Sequence, residues 1–222
     1  MKNKIVIIGI DGVPFGLIKS LSDQGIMSNF RKLRDTGLFN KLRSTYPPIS
    51  SISWSSIITG KNPGENGIFG FMEMIPGTYT LSFPDFRSLQ AKPFWEKFSD
   101  RKSVIMNVPS TYPVRRMNGA HLSGFISLNI EKAVYPSSLL PKLEEMNYKV
   151  DVYSGLAHKS TGLFLKKLDE VLEARIKAYR YLWKNKDWDI FMLTFTGSDR
   201  IGHFLWDAYE DENHEFHQGF LD

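Results

Sequence analysis

Short apolar runs alternate along the chain with longer segments of helical periodicity. Three of these runs are apolar on both faces, as is typical of central strands buried in a parallel sheet: residues 4–10, 102–109 and 188–197. Apolar residues recur at helical spacing in three longer segments, 15–37, 135–148 and 160–185. This alternation predicts an α/β fold with a mainly parallel central sheet and helices on both faces.

The ends of the predicted elements carry further signals. Gly37 suits the C-cap of the first helix, and Ser137 or Ser138 suits the start of the second. The segment 148–153 predicts one more strand. Residues 61–77 are rich in glycine and proline and form a long irregular excursion, and excursions of this kind are often functional.

Composition narrows the possible classes of protein. The chain of 222 residues is 42% hydrophobic and 14% aromatic, so it can bury a full core and is not of disordered composition. The formal net charge is only +4, and acidic residues interrupt the basic runs, so we expect no nucleic-acid-binding patch. Cysteine is absent, which excludes disulfides, thiolate metal sites and a cysteine nucleophile.

The N-terminal segment does not predict a targeting sequence. Its apolar run follows a basic start and stops at Asp11, which makes it too short for a signal-peptide core or a membrane span. We therefore expect a cytoplasmic protein without a membrane segment.

Asp11 stands where the first predicted strand ends, in "GIDGVPFG". Ligands of open α/β sheets bind beyond the carboxyl ends of the strands, so residues at this position are the first candidates for function. The spacing of Gly9, Gly12 and Gly16 does not give a dinucleotide-binding fingerprint. Asp11 is interpreted either as a metal-binding carboxylate at the strand tip or as a turn aspartate.

A second candidate pair follows the last predicted strand, in "TGSDRIGHFLW". Asp199 and His203 are four residues apart, so a helical turn would place both side chains on one face. A carboxylate and an imidazole suit Zn²⁺ or a similar divalent ion. An N-capping aspartate beside an unrelated histidine is the alternative interpretation.

The third candidate is the serine cluster in "PPISSISWSSIITG", residues 47–60. The proline pair favours an extended approach, and "SWSSIIT" predicts a helix. A serine at the start of a helix is either a cap or part of a site for an anionic ligand. A reactive serine needs a base or a metal to lower its pKa, and no histidine lies nearby in the sequence.

Four segments together resemble the type I phosphodiesterase/nucleotide pyrophosphatase group of the alkaline phosphatase superfamily. They occur in family order and extend from residue 7 to about residue 206: "IIGIDG", "PPISSISWSSIITGKNPGENGIFGF", "NVPSTYPV" with "NGAHLSGF", and "FTGSDRIGHFLW". The resemblance implies an alkaline-phosphatase-like fold and a phosphoric-ester hydrolase that uses two divalent metal ions, usually zinc. It also implies a small-molecule substrate, a phosphodiester or a nucleotide pyrophosphate.

The resemblance assigns roles residue by residue. It implies that Ser50 is the nucleophile, that it forms a covalent phospho-enzyme which water hydrolyses, and that it also touches the second metal. By the same resemblance Asp11 would bind this second metal, and Asp199 and His203 would bind the first. Apart from these roles, Asn107 follows a predicted strand and is a candidate for contact with substrate, but its interpretation as a turn-forming asparagine before Pro109 is favoured.

The sequence departs from the family pattern at three places. The nucleophile is commonly threonine with a proline two positions on, whereas here Ser50 and Ile52 occupy those positions, so Ser51 is a second candidate. Asn66 replaces a common histidine. A later Ser-Asp-His-Gly segment and a further histidine are lacking. We therefore interpret residues 1–222 as a single α/β catalytic domain that is the N-terminal portion of a longer one, with weak or no activity alone.

Two other functions stay open. One is different chemistry of the same superfamily: hydrolysis of sulfate esters or phosphonates, or phosphoryl transfer to an acceptor other than water. "SSISW" lacks the proline and arginine of a sulfatase segment, which argues against the sulfate ester. The other is a non-catalytic α/β module that binds anions or a partner, which the missing metal ligands would explain.

Overall fold

The structure, a computed structural model, describes residues 3–221. Within these residues seven strands form: β1 (Ile5–Ile10), β2 (Glu73–Met74), β3 (Leu81–Ser82), β4 (Ser103–Val108), β5 (Gly119–Ser123), β6 (Val134–Tyr135) and β7 (Ile190–Phe195). The α-helices of the same range are α1 (Phe15–Asp23), α2 (Ser28–Thr36), α3 (Ser50–Thr59), α4 (Pro63–Asn66), α5 (Phe94–Lys97), α6 (Ile130–Ala133), α7 (Leu140–Glu145), α8 (Thr161–Asn185), α9 (Gly197–Phe204), α10 (Trp206–Glu210) and α11 (His217–Leu221).

The central sheet has the strand order β1-β7-β4-β5-β6. The first four of these strands are parallel, and β6 runs antiparallel to β5. β2 and β3 form a separate antiparallel hairpin. The prediction of a mainly parallel sheet is confirmed, and the carboxyl ends of β1 and β7 lie side by side because Ile10 pairs with Phe195.

Helices cover both faces of this sheet, as predicted. On one face, alternate residues of β4 and β7 pack against α7 and α8, with Met106 and Phe191 fully buried. On the other face, Ile105 and Met192 pack against apolar residues of α3 and α5. The two-residue alternation of the strands thus produces two separate cores, one on each side.

α8 is the longest helix, with 25 residues, and it lies where the sequence predicts it. Ser160 caps its start, since the Ser160 side chain accepts a hydrogen bond from the Leu163 amide at 3.3 Å. Its buried residues recur at helical spacing and so form one stripe: Phe164, Leu168, Val171, Ala174, Arg175, Ala178 and Leu182. One member of this stripe, Arg175, is charged.

Other predicted elements differ from the structure. Segment 15–37 is split into α1 and α2, because Gly25 adopts a left-handed φ of 83° between them. The helix in 135–148 begins as a 3₁₀ turn at Ser137 before α7. The strand predicted over 148–153 is wrong: that segment is irregular, because Tyr148 and Val150 are held by hydrogen bonds to Asn107 and Arg175 and not by a neighbouring strand. β5 was not expected from the periodicity.

β1 is an edge strand in the part of the chain that the structure describes, and not the central strand that its sequence predicts. Val6, Ile8 and Ile10 are 45%, 57% and 36% exposed. These three residues pair in register with residues 191, 193 and 195 of β7, so they lie on the same face of the sheet. α8 covers that face at β7 but leaves these β1 side chains exposed. Sequence pattern reports which residues are apolar, whereas strand order decides which of them a helix can cover.

Among residues 3–221, no helix combines the length and the apolar character that crossing a lipid bilayer requires. The longest helix, α8, packs its apolar stripe onto the sheet and carries charged residues on its other side.

His121 is a buried histidine in the second core. It lies on β5, is 0% exposed and makes edge contacts with the rings of Phe86 and Trp95, at 5.8 and 5.6 Å between centroids. Neither ring nitrogen has a hydrogen-bond partner among the described residues. Burial, with a smaller effect from Arg115, lowers the pKa of His121 from 6.5 to about 3.

This burial predicts a loss of stability in acid. In the unfolded chain His121 takes up a proton below pH 6.5, whereas in the folded protein it stays neutral down to about pH 3. The free energy of unfolding is therefore highest above pH 6.5 and decreases as the pH falls below that value. We expect His121→Leu to remove on the order of 3 kcal/mol of the difference in unfolding free energy between pH 7 and pH 4. Urea denaturation at several pH values measures it.

A matched control is His158→Leu, which makes the same substitution at an exposed histidine. Parallel pH curves for the His121 variant and the unmodified protein would show that this histidine does not limit acid stability.

Candidate active site

The turn after β1 meets the turn after β7. The Asp11 amide donates to the Phe195 carbonyl at 2.9 Å, and the Ser198 hydroxyl donates to the Asp11 carbonyl at 2.7 Å. Gly12 has a φ of 72°, and a Cβ at this position would lie 2.6 Å from the Asp199 Cα. Only glycine fits here, and its small size lets the backbone of Asp199 approach Asp11.

The Asp11 carboxylate is buried at this junction, with 7% of the residue exposed. Its Oδ1 accepts hydrogen bonds from Trp54 Nε1 at 3.0 Å and from Ser50 Oγ at 3.3 Å. Its Oδ2 is buried without a partner in the described part of the chain. Burial raises the pKa of Asp11 and the nearby Asp199 raises it further, while the bond from Trp54 opposes them.

Trp54 reaches Asp11 because of a second glycine. A Cβ on Gly9 would lie 2.3 Å from the Trp54 ring, so only the bare backbone of β1 lets the indole pack against it. Trp54 lies within the serine cluster, on the buried side of α3. No sequence pattern predicts that this ring orients the carboxylate.

Ser50 is the first residue of α3, and Ile49 occupies the N-cap position. The Ile49 side chain forms no capping hydrogen bond, so the interpretation of the serine cluster as a cap is wrong. Ser50 is half-buried and bonds to Asp11, whereas Ser51 is 2% exposed and its hydroxyl has no partner among the described residues. The geometry places Ser50, and not Ser51, beside the carboxylate.

Asp199 and His203 lie on α9, which is helical as their spacing requires. His203 Nε2 is 3.5 Å from Asp199 Oδ1, but the histidine side chain is 67% exposed and the aspartate side chain only 11%. Arg200 Nη1 lies 3.4 Å from the other Asp199 oxygen and also forms an ion pair with Asp151. Asp11, Ser50 and Asp199 are therefore brought together, and His203 stands at their solvent side.

Arg175 holds the turn that carries α9, and sequence reasoning missed it. From α8 its Nη1 donates to Thr196 Oγ1 at 3.2 Å and to the Thr194 carbonyl at 3.4 Å, and its Nη2 donates to the Val150 carbonyl at 2.8 Å. The residue is 3% exposed, and burial lowers the pKa of its guanidinium. The available signal was an arginine on an otherwise apolar helical stripe.

Asn107 does not join this cluster by any hydrogen bond among the described residues. It has a φ of 58° at an irregularity of β4, and its Nδ2 donates to the Tyr148 hydroxyl at 2.7 Å. The irregularity turns Val108 to the opposite face from Met106, so the two residues pack in different cores. Its role in substrate binding stays a prediction.

Comparison with known proteins identifies the family. A sequence profile of the type I phosphodiesterase / nucleotide pyrophosphatase family matches residues 5–218. The chain belongs to this family. It is thus related to phosphoric-ester hydrolases, and no curated protein matches it.

Solved structures of phosphonoacetate hydrolase from Sinorhizobium meliloti 1021 share the fold of this type I phosphodiesterase family member. The complex with phosphonoformate matches at 17% identity and the complex with phosphonoacetate at 16%, each with a TM-score of 0.60. Each comparison covers 89% of this chain and 47% of the solved chain, so the chain spans about half the length of these structures. At such low identity the likeness concerns the alkaline-phosphatase-like fold.

The cluster of this phosphodiesterase family member fits part of a metal site. Asp11 Oδ2 is buried without a partner, and a carboxylate oxygen in that situation is suited to a cation. Within residues 3–221, however, no three histidine, cysteine, aspartate or glutamate side chains are grouped closely enough to hold a metal ion. The described residues therefore supply an incomplete set of ligands.

Asn66, which replaces a common family histidine, uses its side-chain amide for hydrogen bonds to nearby residues of the chain. Its Nδ2 donates to the Lys61 carbonyl at 3.0 Å, and its Oδ1 accepts from the Ile68 amide at 2.9 Å. The residue is 0% exposed. It shapes the turn after α4 and contributes no free donor atom to the cluster.

Proposed function

We propose that this chain carries the nucleophile and the first ligands of a metal-dependent phosphoric-ester hydrolase of the phosphodiesterase/nucleotide pyrophosphatase type. The observation that supports this most is the hydrogen bond of Ser50 to a buried carboxylate, Asp11, whose second oxygen has no partner in residues 3–221. This pair stands at the carboxyl end of β1, where ligands of such sheets bind.

Ser50 attacks the phosphorus atom of a phosphodiester. A bond forms between Ser50 Oγ and phosphorus, and the bond from phosphorus to the leaving oxygen breaks, so that an alcohol departs after taking up a proton. Water then breaks the bond between Ser50 Oγ and phosphorus, which yields a phosphomonoester and restores the hydroxyl. Asp11 Oδ1 orients the attacking oxygen through the 3.3 Å hydrogen bond.

Members of this family are in general dependent on divalent metals. We propose two such ions, zinc by preference, one held by Asp11 and Ser50 and the other by Asp199 and His203. When bound, they would lower the pKa of the serine hydroxyl and stabilise the negative charge of the transferred group. Asp199 lies close enough to Asp11 to raise its pKa, so the site brings two carboxylates together for such cations.

The first turn of α3 offers further stabilisation of the phosphoryl oxygens. The Ile52 amide donates to the Ile49 carbonyl at 3.0 Å and is the first of this helix, within the described chain, to bond backward along it. The amides of Ser50 and Ser51 precede it at the positive end of the helix dipole, where backbone N–H groups bind phosphate oxygens.

A phosphonate is the second candidate substrate. The structures of similar fold hold phosphonoformate and phosphonoacetate, and the same nucleophile would attack either phosphorus group. Sulfate esters and phosphoryl transfer to an acceptor other than water follow as further possibilities, together with a module that binds anions without turnover.

A substrate panel tests the proposal. Bis(4-nitrophenyl) phosphate, 4-nitrophenyl phosphate, 4-nitrophenyl sulfate and phosphonoacetate are assayed with residues 1–222 and with the complete gene product, each with zinc and with a chelator. We expect the diester to be turned over fastest by the complete product, activity to disappear with the chelator, and residues 1–222 to be weak or inactive. Faster turnover of phosphonoacetate than of the diester would contradict the proposed phosphodiesterase activity and would favour a phosphonate as substrate.

A further inference from the structure

An open pocket of about 870 Å³ lies beside the candidate active site. Three parts of the chain enclose it: the segment 125–131 after β5, the helix α7, and the irregular segment 148–154. Its volume lies within the range of small-molecule sites in proteins, and its position beyond the carboxyl ends of the strands is where such sites occur.

Arg200 connects this pocket to the catalytic cluster. The Arg200 side chain lines the pocket, and its Nη1 is also 3.4 Å from the Asp199 carboxylate. Its guanidinium lies over the Phe125 ring at 4.4 Å from the centroid, and Phe125 also lines the pocket. Arg200 therefore contacts both the Asp199 carboxylate and the lining of this pocket.

Three polar side chains of the lining already have hydrogen-bond partners within the protein. The Ser127 hydroxyl donates to the Gly124 carbonyl at 2.8 Å, Asn129 Oδ1 accepts from the Glu131 amide at 2.7 Å, and the Tyr148 hydroxyl accepts from Asn107 at 2.7 Å. Much of the surface that the lining offers a ligand is hydrocarbon and aromatic, since Ile126, Leu128, Ile130 and Tyr153 are 53%, 85%, 42% and 70% exposed.

The charges of the lining exclude a second anionic group. Arg200 is paired with Asp151. Of the other lining residues Lys149 is positive, while Glu131 and Glu144 are negative. A polyphosphate would need an excess of positive charge, and these five residues have none.

We propose that this pocket binds an uncharged apolar or aromatic substituent of the phosphoric ester. The inference rests on the proposed function, because it identifies the kind of group that the ester carries. A phenyl or short acyl group would bury its surface against Ile126, Leu128 and Phe125 and would leave the phosphoryl group at Ser50.

Binding of two phosphodiesters that differ only in their substituents tests this. Diphenyl phosphate and dimethyl phosphate are titrated calorimetrically into the zinc-supplied protein. We expect diphenyl phosphate to bind at least about tenfold more tightly, as filling an apolar pocket commonly gives. The double variant Ile126→Ser/Leu128→Ser should lose this preference and keep its affinity for dimethyl phosphate. Both residues are exposed and their replacements uncharged, so folding and charge stay unchanged.

Leu33→Ser is the matched control, since Leu33 is 67% exposed on α2 and does not line the pocket. Equal affinities for the two phosphodiesters would overturn the proposal, and so would a preference that survives in the double variant, because the phenyl groups would then bind elsewhere. These outcomes are separate from turnover. If neither ester is hydrolysed but the preference and its loss are measured, the pocket is supported and the proposed catalytic function is not.

Discussion

Replacing Ser50 with alanine is expected to lower the turnover of a phosphodiester by at least about a thousandfold, since removal of a nucleophile leaves only binding and electrostatic stabilisation. Ser50 is half-buried, and its loss removes one hydrogen bond to Asp11 without opening a core cavity. The thermal midpoint should therefore change little. Steady-state kinetics of the complete gene product, with a melting curve of each variant, measures both quantities.

Ser51→Ala is the control that the chain itself offers. Its hydroxyl is buried and has no partner within residues 3–221, so this variant should retain turnover within a few fold of the unmodified protein. A phosphoryl group that still carries the second ester substituent, trapped after rapid acid quench, should be found by mass spectrometry on Ser50. Loss of activity in the Ser51 variant with activity kept in the Ser50 variant would reverse the assignment of the nucleophile.

Arg175→Met is expected to give the largest loss of stability, roughly 2–4 kcal/mol in the free energy of unfolding. Methionine keeps most of the apolar stem, but it leaves the Val150 and Thr194 carbonyls and the Thr196 hydroxyl without their common donor. Two of these acceptors, Thr194 and Thr196, lie where β7 leads into α9, so Asp199 should also lose its position beside Asp11. Urea denaturation and the zinc affinity of the folded variant measure the two effects.

Arg180→Met, on the same helix, shows whether a loss of stability comes from the buried position of Arg175 or from removal of a positive charge alone. Arg180 is exposed, and its replacement should change the unfolding free energy by no more than about 0.5 kcal/mol. Arg175→Lys should recover part of the stability, since an ammonium group reaches fewer of the acceptors than the planar guanidinium. Similar losses in the two methionine variants would mean that the internal hydrogen bonds of Arg175 contribute little.

The sequence was sufficient for those parts of the fold whose signal is local. β4 and β7 are apolar on both faces and are buried on both, and α8 begins at a capping serine with an apolar stripe behind it. The ends of these strands are predicted in the same way, so the pattern also indicates Asp11 and Asp199 as residues at strand ends. Their proximity follows from the parallel pairing of β1 with β7.

Contacts between distant segments could not be predicted in this way. Trp54 meets Asp11 only because Gly9 admits its ring, and Arg175 meets Thr196 only because α8 crosses behind β7. Neither contact leaves a periodic pattern in the sequence. The strand predicted over 148–153 fails for the same reason, since its apolar alternation is satisfied by the core beneath α8, with Tyr148 buried there.

The uncovered side of β1 has a consequence for handling the protein in concentrated solution. Among the described residues this strand pairs on one side only, and its six residues, IVIIGI, include no charge, proline or bulge that would discourage another molecule from adding a strand. At high concentration the β1 edge of one molecule can therefore pair with a strand of another, and this pairing would make the protein aggregate. A lysine in place of Val6, which is 45% exposed, would block that pairing and leave the packing of Ile7 against the second core untouched.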